Sequence, residues 1–76
     1  MNLAEVTIGK AVTIKGIGGY GTFRLRLLEL GLLPNTEIIV ILVAPFGDPI
    51  EILVRGGILS IRLADAKLIE VWWPAQ

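Results

Sequence analysis

The sequence has no cysteine and no histidine among its 76 residues. Without cysteine it has no disulfide framework and no thiolate chemistry. Without a thiol or an imidazole, a structural zinc site is excluded and a tight iron site is disfavoured. Its few serine, aspartate and lysine residues form no recognisable nucleophile arrangement. We therefore predict that the chain is not an enzyme and has no catalytic, cofactor-binding or metal-ligating residues.

Charge is also scarce. Seven basic residues balance seven acidic ones, and charged residues make up only 18% of the chain. Proteins that bind nucleic acid carry clustered lysine and arginine, so no nucleic-acid partner is expected. By contrast, 54% of the residues are hydrophobic and the mean hydropathy is +0.75. A domain this small must leave some of them exposed, either to meet a partner or as ordinary scattered surface residues.

No hydrophobic run is long enough to cross a bilayer. The longest, IIVILVAPF, ends at Phe46 and contains a proline, whereas a spanning helix needs about 20 apolar residues. The first ten residues have an early glutamate and lack the basic start and apolar stretch of a signal peptide. We expect one cytoplasmic domain over residues 1–76, with no direct membrane insertion.

Short apolar segments separated by glycine and proline predict about five strands, and hence a mainly β fold built as a small barrel. AVTIKGI alternates between apolar and polar residues. TEIIVILVA is apolar on both faces, so this strand is expected to be covered on both faces, or on one face with the other in an interface. A single helical turn, ADA, is expected before the last strand. The predicted inward side chains are Val12, Ile14, Ile50, Ile52, Val54, Leu59, Ile61, Leu63, Ile69, Val71 and Trp73.

One short α-helix is predicted after the first strand, roughly from Phe23 to Leu30. Its apolar stripe consists of Phe23, Leu27, Leu28 and Leu30. Thr22 is the expected N-cap, because its hydroxyl can accept a free backbone N–H. Gly31 suits the left-handed residue after a helix, and Pro34 prevents continuation.

Turn chemistry marks two further connections. In APFGDP, Pro45 fixes φ, Gly47 can take positive φ, and Pro49 can open the next strand. Asp48 is expected to stabilise this turn, and Asp65 to cap the helical turn. The pair Gly56–Gly57 is expected to form a tight turn.

Gly16, Gly18 and Gly21 form a G-x-G-x-x-G pattern between the first strand and the helix, as in dinucleotide-binding folds. Such folds also need a longer crossover helix and an acidic residue about twenty positions further on. Both are missing here, so nucleotide binding is the disfavoured alternative. We interpret the pattern as a loop with an exposed Tyr20, which a partner could order.

A leucine-rich helix ending ELGLLP is followed at characteristic spacing by APFGDPI and IRLADAKLIEV. This pattern, over residues 24–71, resembles the FeoA-like family, whose members are small SH3-like barrels encoded beside the bacterial ferrous iron permease FeoB. One departure is Asn35, where the family usually has glycine. Because asparagine tolerates the left-handed region, the turn is expected to survive.

The resemblance implies a non-enzymatic accessory protein of ferrous iron uptake that binds the cytosolic region of the permease and modulates transport. A related domain at the C-terminus of metal-dependent repressors gives the alternative: a regulatory interaction module that binds a protein or peptide. A homo-oligomer is a further expectation left open by the apolar composition.

Several side chains are candidates for partner binding. One helix in a small barrel cannot bury all its leucines, and an exposed leucine would be an effective anchor. Trp72 and Trp73 are adjacent in a strand, so either one closes the barrel while the other is exposed, or both pack against the N-terminal segment MNLAEV. The candidate partner-binding residues are Arg24, Leu27, Leu28, Pro45, Phe46, Asp48 and Trp72, and the structural turn residues are Gly31, Pro34, Asn35, Gly47 and Pro49. An outer apolar surface is expected from Leu53, Ile58, Leu68, Trp72 and alternate residues of 38–42.

Overall fold

The computed structural model describes residues 1–73; residues 74–76, which the predicted single domain includes, lie outside the described residues. Five antiparallel strands form one sheet in the order β4-β3-β2-β1-β5. The strands are β1 (Ala11–Ile17), β2 (Glu37–Val43), β3 (Ile50–Val54), β4 (Gly57–Ile61) and β5 (Ile69–Trp72). Helix α1 (Gly21–Glu29) follows β1, and the short helix α2 (Leu63–Ala66) precedes β5, with 3-10 turns at Leu3–Glu5 and Pro45–Gly47. The order of the strands and α-helices is the predicted one, whereas the two 3-10 turns were not predicted.

The core lies against one face of the sheet. The alternation in β1, β3 and β5 places the predicted inward residues in the core, as it also does for Ile61 in β4. In β2, Ile38 and Val40 are fully buried, while Ile39 and Ile41 are only half-buried, so one face of this strand is covered and not two.

Three predicted inward residues are not buried. Leu59 is half-buried because β4 is an edge strand with a neighbour on one side only. Leu63 is also half-buried, since it is the first residue of α2 and not part of a strand. Trp73 is exposed because it follows the last residue of β5 and lies beyond the core.

Helix α1 begins at Gly21, so Thr22 already lies in its first turn and is not the N-cap as predicted. Tyr20 occupies the cap position and makes no side-chain cap bond. The chain turns into the helix at Gly21, where φ is 63°, a conformation that glycine adopts at little steric cost.

The C-terminal end of α1 confirms the role predicted for Gly31. Its φ is 97°, and its N–H donates to the Leu28 carbonyl at 3.0 Å. The Leu32 N–H donates to the Leu27 carbonyl at 3.2 Å. These two bonds form a Schellman motif, and its usual apolar contact is supplied by Leu27 and Leu32, both in the core.

The turn into β2 forms with asparagine at position 35, as predicted. Asn35, after Pro34, has φ 71° and donates its N–H to the Ile14 carbonyl at 2.7 Å. The Ile14 N–H in turn donates to the Thr36 carbonyl at 2.9 Å. The left-handed residue therefore lets the chain reverse and attach directly to β1.

The turn between β3 and β4 is Arg55–Gly56, not Gly56–Gly57. Val54 pairs with Gly57, and the two residues between them have φ 51° and 78°. Two consecutive positive φ values define the type I′ turn that matches the twist of a hairpin. Gly57 is consequently the first residue of β4.

The N-terminus of α2 is capped from a distance. The Leu63 N–H donates to the Asp48 Oδ1 atom at 2.9 Å, and Asp48 belongs to the β2–β3 connection. Asp65 is not the predicted cap, because it is the third residue of α2 and a cap must precede the helix. Asp48 thus ties the hairpin connection to α2.

Replacing the capping carboxylate tests this contact. Asp48→Ala should lower the free energy of unfolding by about 1 kcal/mol, the usual cost of a lost helix cap. Asp48→Asn should retain most of the stability, since the amide oxygen still accepts the N–H. Asp65→Ala is the matched control and should cost less than about 0.5 kcal/mol. Urea denaturation measures all three, and equal losses for Asp48→Ala and Asp65→Ala would contradict the assignment.

The helix-ending glycine gives a second test. Gly31→Ala should lower the free energy of unfolding by about 1–2 kcal/mol, the cost of a left-handed conformation for alanine. The added Cβ has room, since the nearest atom, Arg55 Nη1, would be 3.8 Å away. Gly16→Ala is the control: its φ is not positive and no atom lies within 4 Å of the new Cβ. An equal effect at both positions would rule out backbone conformation as the cause.

Candidate functional site

The connection between β2 and β3 holds Phe46 in solvent. The Ala44 N–H donates to the Pro49 carbonyl at 3.0 Å, and the Gly47 N–H donates to the Ala44 carbonyl at 2.8 Å. The Asp48 cap on α2 fixes the far side of the loop. Phe46 lies between these ties with its side chain fully exposed. The loop is therefore a closed structure that presents an aromatic ring.

Phe46 also has an unfavourable backbone. Its φ is 68° and its ψ is 11°, in the left-handed region, which costs a residue other than glycine on the order of 1–3 kcal/mol. A fully exposed ring gains no burial energy in return. A residue with both a strained backbone and an unburied aromatic ring is a candidate for function, because aromatic side chains are the usual anchors of protein interfaces.

Phe46 lies near the end of an uncharged segment of the chain. The sequence carries no charge from residue 38 to residue 47. The exposed apolar side chains from the end of β2 to Phe46 are Leu42, Val43, Pro45 and Phe46, which we call the hairpin patch; the exposed Asp48 follows two residues later. Gly47 takes φ 80°, as predicted, and Pro49 directly precedes β3. The patch is suited to apolar contact and not to ionic recognition.

Helix α1 contributes a second apolar surface, made by leucines other than those predicted. Leu27 is buried and Leu28 is half-buried against the core. The exposed ones are Leu25, at 55%, and Leu30, at 48%. The exposure of Leu25 could have been predicted from the sequence. Leu25 follows Phe23 by two residues, which places it about 200° around the helix from that member of the predicted apolar stripe. Leu30 lies on the predicted stripe, but the helix has ended by that point.

Arg24 is held partly by its own fold. Its Nε atom donates to the Ile17 carbonyl at 3.2 Å, which ties α1 to the end of β1. The side chain is exposed beyond this bond. Arg24 therefore combines a structural contact with a guanidinium at the surface next to Leu25.

Both tryptophans at the end of β5 are exposed, so the prediction that one closes the barrel is wrong. Trp72 is 39% exposed and Trp73 is 53% exposed. The Nζ atom of Lys15 lies 4.4 Å from the Trp72 ring centre, and Lys10 Nζ lies 4.8 Å from that of Trp73. These distances are in the range of cation–π contacts, which cover part of each ring.

The glycine-rich loop is a packed connection. The Gly18 N–H donates to the Leu68 carbonyl at 2.7 Å. A Cβ on Gly19, whose φ is 86°, would approach the Phe23 ring to 2.9 Å. Close packing and a positive φ account for glycine at position 19, and a positive φ of 63° favours it at position 21. Tyr20 is exposed at the tip, as expected.

The outer face of the sheet carries a row of apolar residues. Leu53 in β3 pairs with Ile39 in β2 on one side and with Ile58 in β4 on the other. Leu53 and Ile39 are half-buried, and Ile58 is exposed. Within residues 1–73, no group of three or more acidic side chains could hold a metal ion. The apolar row itself is suited to macromolecular contact.

Comparison with known proteins agrees with this description. Residues 1–72 match the FeoA domain family. A fusion of Fe(2+) transport protein A with the Fe(2+) transporter FeoB, from Porphyromonas gingivalis, is 37% identical over 71 residues. The match covers 93% of this chain and 8% of that protein, so the chain spans a small part of this relative's length.

Solved structures share the fold. The FeoA-like protein of Clostridium acetobutylicum has a TM-score of 0.86 at 38% identity, and the match covers 95% of this chain and 84% of that one. FeoA of Stenotrophomonas maltophilia complexed with zinc, described as an SH3 domain protein, has a TM-score of 0.84 at 22% identity, with 95% and 89% covered. The predicted SH3-like fold is confirmed.

A manganese-dependent transcriptional repressor also superposes, with a TM-score of 0.81 at 14% identity. The match covers 91% of this chain and 39% of that one. At this identity the likeness shows the fold alone. It agrees with the predicted relation to repressor domains without indicating a regulatory function for this chain.

Glycine substitution at position 46 tests whether the exposed ring contributes to the fold. Phe46→Gly should leave the free energy of unfolding unchanged or raise it by up to about 1 kcal/mol. Relief of the left-handed strain is offset by the greater freedom of glycine in the unfolded chain. Thermal and urea unfolding measure the change. A loss of more than about 1 kcal/mol would mean that the ring supports the structure.

Proposed function

The chain belongs to the FeoA domain family of ferrous iron transport, and we propose that it is a non-enzymatic accessory protein that binds the cytosolic region of a FeoB-type permease and modulates its transport. FeoA domains are small and transport-associated, and they are not a known family of enzymes. No helix within residues 1–73 has the length and apolarity needed to traverse a bilayer.

The observation that carries the proposal is the relative in which this domain and the transporter FeoB are one chain. Covalent fusion keeps two domains at an effective concentration on the order of millimolar. Where the two are separate chains, surface affinity has to bring them together. An accessory domain of this family therefore needs an exposed binding surface.

The hairpin patch fits that need best. It is uncharged, and Phe46 is held outward by a closed loop at a cost to its own backbone. A single buried aromatic anchor commonly accounts for about 2–4 kcal/mol of an interface. We assign Phe46 as the anchor, with Pro45 beside it and Asp48 holding the loop in place.

A second part of the proposed surface lies on α1. Leu25 and Leu30 replace Leu27 as exposed apolar contacts, and Arg24 and the half-buried Leu28 lie next to them in the helix. Trp72 remains a proposed contact, with its ring partly covered by Lys15. These residues are secondary to Phe46, since none of them has an unfavourable backbone.

Phe46→Gly should weaken binding to the cytosolic region of the permease by at least about thirtyfold, the equivalent of about 2 kcal/mol. Isothermal titration calorimetry with the isolated cytosolic region, with and without nucleotide, measures the dissociation constant. Ferrous iron uptake by cells carrying the variant should fall in parallel.

Asn35→Gly is the matched control, because it also replaces a left-handed residue with glycine, where φ is 71°. It should bind and support uptake like the unaltered chain. Arg55→Gly, at φ 51°, provides a second control of the same kind. Unchanged binding by Phe46→Gly would remove the hairpin patch from the proposal. No affinity of the unaltered chain, together with normal uptake when it is deleted, would refute the accessory role.

A further inference from the structure

One edge of the sheet is open. The β3–β4 turn has two residues, so Val54 and Gly57 form the hydrogen-bonded pair that closes it. Bonded and non-bonded pairs then alternate along the hairpin, which places Ile58 and Ser60 at non-bonded positions. Both residues therefore direct their N–H and C=O groups away from β3. Within residues 1–73, none of these four groups has a hydrogen-bond partner.

The opposite edge is covered. The Val71 N–H of β5 donates to the Met1 carbonyl at 2.9 Å, and Asn2 forms a β-bridge with Glu70. Strand β4 has no such cover, and its sequence GILSI contains neither a proline nor a charged residue. Those are the residues that usually protect an edge strand from pairing. The contrast marks β4 as the edge that is available to another strand.

We propose that β4 pairs antiparallel with β4 of a second copy of this chain, across a two-fold axis that passes beside Leu59. This register places Ile58 opposite Ser60 of the second copy, and Ser60 opposite its Ile58. Each N–H then meets a C=O, and all four free groups of each strand are satisfied by four hydrogen bonds. The two sheets become one sheet of ten strands.

The side chains favour the same register. Ile58 is 61% exposed, and the two-fold axis makes the two Ile58 side chains diagonal neighbours on the outer face, within reach of each other. The two Leu59 side chains, half-buried in one copy, lie directly opposite each other on the inner face. The pairing therefore extends the apolar row of Leu53 and Ile58 across the junction.

Charge does not oppose the association. The chain has a net charge of zero, so two copies do not repel each other overall. The pairing brings Arg62 near the Arg55–Gly56 turn of the second copy, but the Arg55 Nη2 atom is directed to Thr36 Oγ1 at 3.4 Å. Asp48 also lines the same surface concavity as Arg62 and supplies an opposite charge there.

Analytical ultracentrifugation over about a hundredfold range of protein concentration tests the pairing. The unaltered chain should pass from monomer to dimer. Ser60→Pro removes an N–H that points away from β3, so the fold should tolerate it, as edge strands tolerate proline. The variant loses two of the four hydrogen bonds and should weaken dimerisation by about ten- to a hundredfold. Ser60→Ala retains the N–H and should dimerise as the unaltered chain does.

Ile58→Lys provides an independent variant in case Ser60→Pro does not fold, which circular dichroism would show. It places two lysines near each other across the axis, and it should also shift the equilibrium to monomer. A chain that stays monomeric throughout the range overturns the proposal, even if an extended peptide of another protein binds β4. A dimer that both variants leave intact overturns it as well, because the contact then lies elsewhere.

Discussion

The chain is long enough to cover only one face of its sheet, and the rest of the structure depends on that limit. Small domains bury a lower fraction of their surface than large ones. Ile38 and Val40 of β2 are fully buried, whereas Ile39 and Ile41 between them are not. A composition with 54% hydrophobic residues therefore leaves apolar side chains on the outer face, on α1 and in the hairpin patch.

The same limit makes the connections short, and short connections need left-handed residues. Asn35, Phe46 and Arg55 adopt positive φ without being glycine. Asn35 gains two bonds to β1 through its turn, and Arg55 completes a hairpin. Phe46 differs because its ring contacts solvent. The three residues share one backbone requirement, and only Phe46 combines it with an exposed aromatic ring.

The sequence allowed most of the architecture to be predicted, because period-two alternation and turn residues are local signals. Gly31 and Asn35 were placed correctly for that reason. The contact of Asp48 with Leu63 joins residues 15 apart, and no local pattern reveals which carboxylate caps α2. The exposure of Trp73 was missed because alternation does not show where a strand ends. In the candidate site, the loop around Phe46 was predicted, but its left-handed backbone was not.

The covered edge of β5 also limits how large an assembly of this chain can become. If both edges were open, β4 of one copy could pair with β5 of the next, and this head-to-tail contact would either close into a ring or repeat into a fibre. The first residues of the chain already occupy the β5 edge through Met1 and Asn2. Strand pairing between copies can then use only the β4 edge, and a two-fold contact between two β4 strands occupies that edge in both copies. Strand pairing of the kind proposed for β4 would therefore close in a pair and not extend further.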